Sequence, residues 1–528
     1  MRHRGHYMWK DRIEQVKENR KLHEEGGGAY KLERQHQGGK YSVWERVEML
    51  LDKNSFVEIG SHMTTDTGAF TVGSPKNYIG DGVLTGWGKI DGRKVCIAAE
   101  DFTVAGGTLG VTHTRKIIAL QELALSMKVP VVFLYDSRGA RIEEGISAVD
   151  QFGEIFALHQ RASGLIPQIC AVLGPCTGGA SCSTAMCDFV FAVQDQSKMY
   201  ISGPDIVESA IGVRPQEKEL GSAWMHSTTS GQVHAFYRDE KSLLKGIRKL
   251  LSYLPSNCGF LPPDMPVDPH TGRNNERLSF ESFVPDNSRK PYDMHLVIEN
   301  LMDVNAGFFE IHKHFAANVI TGFSYLDHRV IGIVANQPIE QGGIIDCDAA
   351  DKAARFVRFC DCFNIPVLSL VDVPAFLPGT AQEQAGIIRH SAKMFYAFSE
   401  ATVPKVTLIV RKAYGSAYIA MDSKSLGCDV VYAWPIAQIS VMSAEDAVRI
   451  LYRKQLRNTP QPAQLYQRLV KNYEISYQTP EIAEQKGFID EVILPEETRQ
   501  RLDRAFDFLQ IRNEQNVRPE KKHGNIPL

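Results

Sequence analysis

The sequence predicts an α/β protein made of two tandem copies of one unit. Three observations carry this. Apolar runs without alternation, such as VPVVFLYDS (129–137) and IPQICAVLG (166–174), suit strands buried on both faces. Helical stretches separate these runs, which implies parallel sheet built from crossover units. The same order of elements then returns about 236 residues later.

Taken in order, the first 40 residues hold ten Lys/Arg and six Asp/Glu. Val16 and Leu22 among these charges predict an amphipathic docking helix ended by Gly26, Gly27 and Gly28. LTGWGKIDGRKVCIAAED (84–101) follows, with VCIAAED as a strand. A helix is expected over TRKIIALQELALSMK (114–128), then the strand 129–137 and the loop DSRGARIEEG (136–145). A further helix leads to the strand 166–174, which runs into the small-residue turn PCTGGASCSTAMCD.

The second copy repeats this order. ITGFSYLDHRVIGIVANQ (320–337) resembles 84–101 and pairs Gly86 with Gly322 and Asp91 with Asp327. The same offset of 236 pairs Lys116 with Lys352, Pro130 with Pro366 and Asp136 with Asp372. Pro167 with Pro404 and Gly178 with Gly415 follow at 237. In DAADKAARFVRFCDCF (348–363), Ala353, Phe356, Val357, Cys360 and Phe363 recur at helical spacing. Strands IPVLSLVDV (365–373) and VPKVTLIVR (403–411) flank the loop DVPAFLPGTAQEQAG (372–386). The Pro/Gly/Asn-rich stretch 256–275 reads as the linker, giving domains 1–260 and 276–528.

The chemistry is best sought at the glycine turns. A small residue lets a ligand approach the backbone, and the helix behind it starts with free N–H groups. Such a corner can hold an oxyanion, and a backbone N–H from the neighbouring loop could complete it. Other chemistries lack their motifs: no GxGxxG after a first strand, no GxxxxGK[ST], no HExxH and no GxSxG. Glu143, Glu144, Glu340 and Glu383 read as solvated carboxylates, and His312 and His314 as strand-edge polar residues. Lys116, Arg141 and Arg389 read as surface or structurally paired cations.

With 62 acidic and 59 basic residues, the net charge of −3 gives no support to nucleic-acid binding. The ten cysteines form no CxxC pair, so no metal site is expected and reduced, buried thiols are. No apolar run reaches the roughly 18 residues of a membrane span. No signal or transit peptide is read at the start, and a cytoplasmic protein is expected.

The motifs GDGVLTGWGKIDGR, EDFTVAGGTLG, ARIEEG, GPCTGGA, GIVANQP, LVDVPAFLPGT and RKAYGSAY resemble the carboxyltransferase (β) subunit of biotin-dependent acyl-CoA carboxylases, propionyl-CoA/acetyl-CoA carboxylase type, over residues 10–515. The resemblance implies two tandem crotonase-like (ClpP/crotonase) β-β-α spiral domains. It implies acyl-CoA on the N-terminal copy and carboxybiotin, carried by a partner protein, on the C-terminal copy. A homo-hexamer (a trimer of dimers) is implied, with the active site between the N-domain of one subunit and the C-domain of another, and with separate biotin carboxylase and biotin carrier polypeptides.

By position, Gly178 and Gly179 with Ala140 would hold the thioester oxygen of the acyl-CoA, next to Ala105, Gly106 and Gly107. Ser416 and Ala417, with Ala375 or Phe376 and Gly415, would hold the biotin oxygen, and Ile419 would shape the acyl pocket. The implied reaction carries a carboxyl group from carboxybiotin to the α-carbon of propionyl-CoA or a similar short acyl-CoA. The alternative is a decarboxylase or transcarboxylase component that runs it in reverse on methylmalonyl-CoA or a similar thioester. The chain departs from the family pattern at Arg138, Ala375, Ala385, Ser391 and Ser416, where Gly is expected, at Ala105, where Phe is, and at Gln384, where Tyr is.

Overall fold

The computed structural model describes residues 9–64, 78–265, 278–304 and 307–527. Contacts divide the chain into two compact units between Ser252 and Tyr253. Part of the expected linker, 266–275, lies outside the described residues.

In the first unit, helices α1 (Trp9–Glu25), α2 (Ala29–Gln37) and α3 (Val43–Leu50) precede the sheet. Its eight strands are β1 (Val57–Ile59), β2 (Val83–Ile90), β3 (Arg93–Glu100), β4 (Val131–Ser137), β5 (Gln168–Thr177), β6 (Phe189–Val193), β7 (Lys198–Tyr200) and β8 (Ala235–Tyr237). They lie in the order β1-β2-β3-β4-β5-β6-β8, with β7 paired to the far end of β5. Strands β1 to β3 are antiparallel and β3 to β8 parallel. The antiparallel start departs from the all-parallel expectation. Asp91 and Gly92, at φ +50° and +79°, make the two-residue turn that joins β2 to β3.

The second unit repeats this plan with β9 (Phe309–Ile311), β10 (Val319–Leu326), β11 (Arg329–Asn336), β12 (Val367–Val373), β13 (Lys405–Tyr414), β14 (Val430–Ala433), β15 (Gln438–Ser440) and β16 (Glu491–Val492). Their order is β9-β10-β11-β12-β13-β14-β16, with β15 paired to β13. The segments FVEIG and FFEIH become the edge strands β1 and β9. The residues 65–77, within the longer loop expected after Gly60, lie outside the described residues.

Burial follows the apolar patterning. Every residue of β4 and of β12 is buried. Helices α4 (Val111–Met127) and α5 (Ile146–Ala162) cover the first sheet with Ile117, Leu120, Ile155 and Leu158. In the helix Cys347–Cys362 and its C-cap, the five periodic residues Ala353, Phe356, Val357, Cys360 and Phe363 are all buried. Helix α1 departs from expectation: Val16 and Leu22 stay 41% and 50% exposed. It docks instead through buried His23, whose Nε2 meets Glu58 at 2.7 Å.

The paired lysines are structural. The Lys116 ammonium donates to the carbonyls of Gly80 and Val83, and Lys352 to those of His312, Phe315 and Ala316. Burial pushes Lys116 down to about 8 and Lys352 to about 7. Arg141 is also paired and buried, on Asp81 and Glu144, so Glu144 is a structural carboxylate rather than a solvated one. His312 is a buried residue at φ +58° just after β9.

Candidate active site

Both units open a gap at the C-terminal ends of their central strands. In the first, Tyr135 pairs with Val172 but Ser137 pairs with Cys176, so β5 bulges by two residues against β4. In the second, Val371 pairs with Ile409 and Val373 with Ala413. The same slip therefore frees the residues after β4 and after β12.

A left-handed turn flanks each gap. Ala105, Gly106 and Gly107 have φ of +49°, +67° and +65°, and Gln341, Gly342 and Gly343 have +49°, +69° and +77°. A Cβ on Gly107 would stand 2.1 Å from the carbonyl oxygen of Asp136, and one on Gly343 2.6 Å from that of Asp372. Close backbone approach, as well as φ, therefore demands glycine at the third position.

The segment after each turn bridges the loop beyond β4 or β12. Leu109 N–H donates to Gly139 C=O and Arg141 N–H to Leu109 C=O, both at 2.9 Å. Ala140 N–H is left without an acceptor among the described residues. In the second unit Ile345 N–H donates to Ala375 C=O at 3.2 Å, and Leu377 N–H to Ile345 C=O at 2.8 Å. Phe376 stands opposite Ile345 as Ala140 stands opposite Leu109, and its N–H meets no acceptor among the described residues. Ala375 spends its carbonyl on the bridge.

The facing donors come from the short helices. Gly178, at φ +62°, turns the chain from β5 into α6 (Gly179–Ala185). Its own N–H donates to the Tyr200 carbonyl at 3.0 Å, so Gly178 supplies the turn and not a donor. The N–H groups of Gly179 and Ala180 meet no acceptor among the described residues. Phe152 fills the space beside Gly179, 2.7 Å from where a Cβ would sit. The two sides of this gap touch, because a Cβ on Gly139 would lie 2.7 Å from the Thr177 carbonyl oxygen. Gly415, at φ +59°, opens the equivalent helix Gly415–Ala420, where the N–H groups of Ser416 and Ala417 meet no acceptor among the described residues.

A cavity of about 730 Å³ adjoins the second turn. Gly415, Ser416, Ile419, Tyr473, Tyr477 and Phe488 are among its walls. Of the positions where glycine was expected, Arg138, Ala375, Ala385, Ser391 and Ser416 all have ordinary negative φ. Their side chains therefore cost the backbone nothing. Ala105 does adopt the left-handed region, with a Cβ in place.

Each loop starts from a buried aspartate held by cations. Asp136 accepts from Lys40 at 2.7 Å and from Arg46 at 2.9 Å. Arg46, fully buried, also grips Glu240 with two bonds of 2.8 Å. Asp372 accepts from Arg411 Nε at 3.0 Å and from the Lys412 N–H at 3.1 Å. Arg411 sits on β13 at the position equivalent to Gly174. A Cβ on Gly174 would lie 2.0 Å from Asp136 Oδ1. The duplicated aspartate thus keeps a guanidinium, but in the first unit α3 supplies it and in the second the neighbouring strand does. Sequence comparison of the copies misses this swap.

Two further buried networks lie in the first unit, and one contact of the first recurs in the second, where Asn336 Oδ1 accepts the Asp372 N–H at 3.2 Å. Glu100 Oε2 accepts the Asp136 N–H at 2.7 Å. Its Oε1 stands 3.7 Å from His113 Nε2, and neither atom has a hydrogen-bond partner. Burial pushes the Glu100 carboxyl well up and, with Arg141 nearby, the His113 imidazole well down, so burial favours the neutral form of each. Beneath α6, His159 Nε2 lies 2.6 Å from Ser183 Oγ, which is 2.8 Å from the Tyr135 hydroxyl. His159 Nδ1 lies 2.7 Å from Gln168 Oε1, and burial pushes the imidazole down to about 4. Gln168 Nε2 donates to the His159 carbonyl, which makes Oε1 the acceptor and fixes the proton on Nδ1.

The arrangement can therefore stabilise charge on two separate oxygens with fixed amides and no side-chain nucleophile. Among the described residues, no group of three or more His, Cys, Asp or Glu could hold a metal ion, and no helix is long and apolar enough to cross a membrane.

Comparison with known proteins matches residues 34–526 to the family described as Carboxyl transferase domain. The chain is 46% identical over 518 residues to the propionyl-CoA carboxylase, carboxyltransferase subunit, of Haloferax mediterranei, covering 98% of this chain and 99% of that one. It is 44% identical over 506 residues to the methylmalonyl-CoA decarboxylase subunit alpha of Propionigenium modestum, covering 95% and 96%. Among solved structures it matches the transcarboxylase 12S hexamer crystallised with methylmalonyl-coenzyme A and methylmalonic acid bound. That match has a TM-score of 0.92 at 41% identity and covers all of both chains.

Proposed function

The chain belongs to the carboxyl transferase domain family and is the carboxyltransferase subunit of a biotin-dependent acyl-CoA carboxylase or decarboxylase complex, and on that premise we propose that it exchanges a carboxyl group between a methylmalonyl-CoA-type thioester and biotin on a partner carrier protein. The duplicated fold is the crotonase-like spiral architecture of that family. The observation that carries the substrate is the full-length likeness to a transcarboxylase subunit seen with methylmalonyl-CoA. We favour the decarboxylase or transcarboxylase direction on this ground. The relatives that are propionyl-CoA carboxylases support a second reading, the same exchange run toward carboxylation with a biotin carboxylase as additional partner. A hexamer like that of the transcarboxylase subunit is part of the proposal.

The first unit takes the acyl-CoA. The amides of Ala140 and Gly179 hold the thioester oxygen and stabilise the enolate left when the carboxyl group departs. Gly107 and the Asp136–Arg46 pair hold the loop that aims Ala140. The second unit takes biotin. Its cavity suits a compact, largely apolar bicycle with one polar oxygen, because Ile419, expected to shape the acyl pocket, lines it together with Tyr473, Phe488 and Ser416. When bound, biotin supplies the nitrogen that receives or gives the carboxyl group. The amides of Ser416 and Phe376 hold the ureido oxygen, and Gly415 provides the turn that presents them. Each donor of this type is worth about 10²–10³ in rate.

The test is carboxyl exchange by the purified chain. Methylmalonyl-CoA plus free biotin, or plus a biotinylated carrier, should yield propionyl-CoA by chromatography. Failure to form propionyl-CoA, together with failure to carboxylate propionyl-CoA from a carboxylated carrier, would overturn the proposal. Turnover of enoyl-CoA without biotin would point instead to a hydratase.

A further inference from the structure

Arg138 follows Ser137, the last residue of β4, and its side chain is exposed. Its guanidinium lies over the ring of Phe102, with Cζ 5.4 Å from the centroid. The Lys40 ammonium lies over the same ring at 4.7 Å, but its charge is committed to Asp136. Arg138 N–H donates to the Gly106 carbonyl at 3.2 Å, and its Cδ stands 3.2 Å from where a Gly106 Cβ would be. Among the described residues no ion pair or side-chain hydrogen bond engages the guanidinium.

A guanidinium resting on an aromatic face keeps its edge, with its fork of donors, available to a planar oxyanion. Stacking also lowers the rotamer entropy that an exposed arginine would lose on binding. Only Gly139 separates Arg138 from Ala140, at most about 7 Å of chain. The cation therefore stands at the rim of the first turn, between it and Gly106. The whole chain carries a net charge of −3, so attraction for a polyanionic substrate has to come from such local cations.

We propose that Arg138 is an anion-recognition residue for the acyl-CoA, engaging an oxyanion group of the substrate: a carboxylate on the acyl part or a phosphate on the CoA part. This rests on the assignment of the first unit to the acyl-CoA.

Steady-state kinetics on wild type, Arg138→Gln and Arg138→Lys test it, with methylmalonyl-CoA, propionyl-CoA and the phosphate-free N-acetylcysteamine thioester of methylmalonate. The expected result is a KM raised at least tenfold in Arg138→Gln with kcat nearly unchanged, and partial recovery in Arg138→Lys. A rise for both CoA thioesters but not the phosphate-free one identifies a phosphate. A rise for methylmalonyl on either handle but not for propionyl-CoA identifies the carboxylate. KM values within twofold of wild type for every substrate would overturn the proposal. Equilibrium binding of methylmalonyl-CoA to wild type and Arg138→Gln reads the same loss of affinity without turnover. An inactive wild type that still binds more tightly than the variant would count against the proposed reaction and for Arg138.

Discussion

Replacing Arg46 by Met puts an apolar chain of similar length where a buried guanidinium now bridges two carboxylates. Three charge-assisted bonds disappear, two of 2.8 Å to Glu240 and one of 2.9 Å to Asp136. Asp136 keeps Lys40 at 2.7 Å, whereas Glu240 keeps only a 3.4 Å contact from the Tyr41 N–H. Removing one partner of a buried ion pair costs about 3–5 kcal/mol, because the remaining charge stays buried without compensation. At 1.36 kcal/mol per decade this is roughly two to four decades in an opening equilibrium. Amide hydrogen exchange with peptide-level mass spectrometry reads it locally, which matters in a two-unit chain that need not unfold in one step. Peptides over β4 and β5 should lose that protection, and peptides over β12 and β13 should not, since Asp372 draws on Arg411. Turnover should fall in parallel, because the Asp136 end of β4 leads into Ala140. A loss of less than tenfold in β4 and β5 would refute the reasoning that this network holds the first loop.

Other outcomes follow from the same geometry. His159 is held at about 4 when folded, below its ordinary value of 6.5, so between these values the unfolded chain binds more protons. Stability from this group is therefore complete above about pH 6.5 and is lost as pH falls toward 4, by about 3 kcal/mol at most. Exchange protection of α6 should follow that curve in wild type and flatten in His159→Asn; an unchanged curve in the variant would assign the dependence elsewhere. Gly107→Ala should cost roughly 2–5 kcal/mol, from the backbone clash with Asp136 and the left-handed φ together, and a wild-type thermal midpoint would contradict that packing. Gly179→Pro is a poor probe of the donor, since its ring would meet Phe152; activity and α5–α6 protection should fall together.

The duplication was legible because it is written in punctuation. Gly86/Gly322, Lys116/Lys352 and Asp136/Asp372 hold one offset, and each sits at an equivalent place in its unit, the lysines on helices and the others on strands. The buried strands were legible from unbroken apolar runs. The antiparallel hairpin of β2 and β3 was missed although Asp91-Gly92 marks its turn, because β2 is buried without a break over 83–86 and alternates only from there on. The donor choice between Ala375 and Phe376 was open because it depends on which residue stands opposite Ile345, as Ala140 stands opposite Leu109, a register that sequence does not display. Gly178 looked like a donor because only its neighbours in sequence were visible, and the Tyr200 carbonyl that takes its N–H comes from β7. The Arg46–Asp136 pair spans 90 positions and differs between the copies, so neither spacing nor repetition reveals it.

The proposed chemistry rests on two pairs of backbone amides, Ala140 with Gly179 and Phe376 with Ser416, which meet no acceptor among the described residues and stabilise the two oxygens of the reaction. Ala140→Pro and Phe376→Pro each delete one such N–H, and neither N–H takes part in a hydrogen bond among the described residues. The decisive measurement is the rate of biotin-dependent methylmalonyl-CoA decarboxylation by wild type and the two variants, with amide exchange confirming that each fold is retained. A fall in kcat of about 10²–10³ is expected in each variant. A folded variant within threefold of the wild-type rate would contradict it.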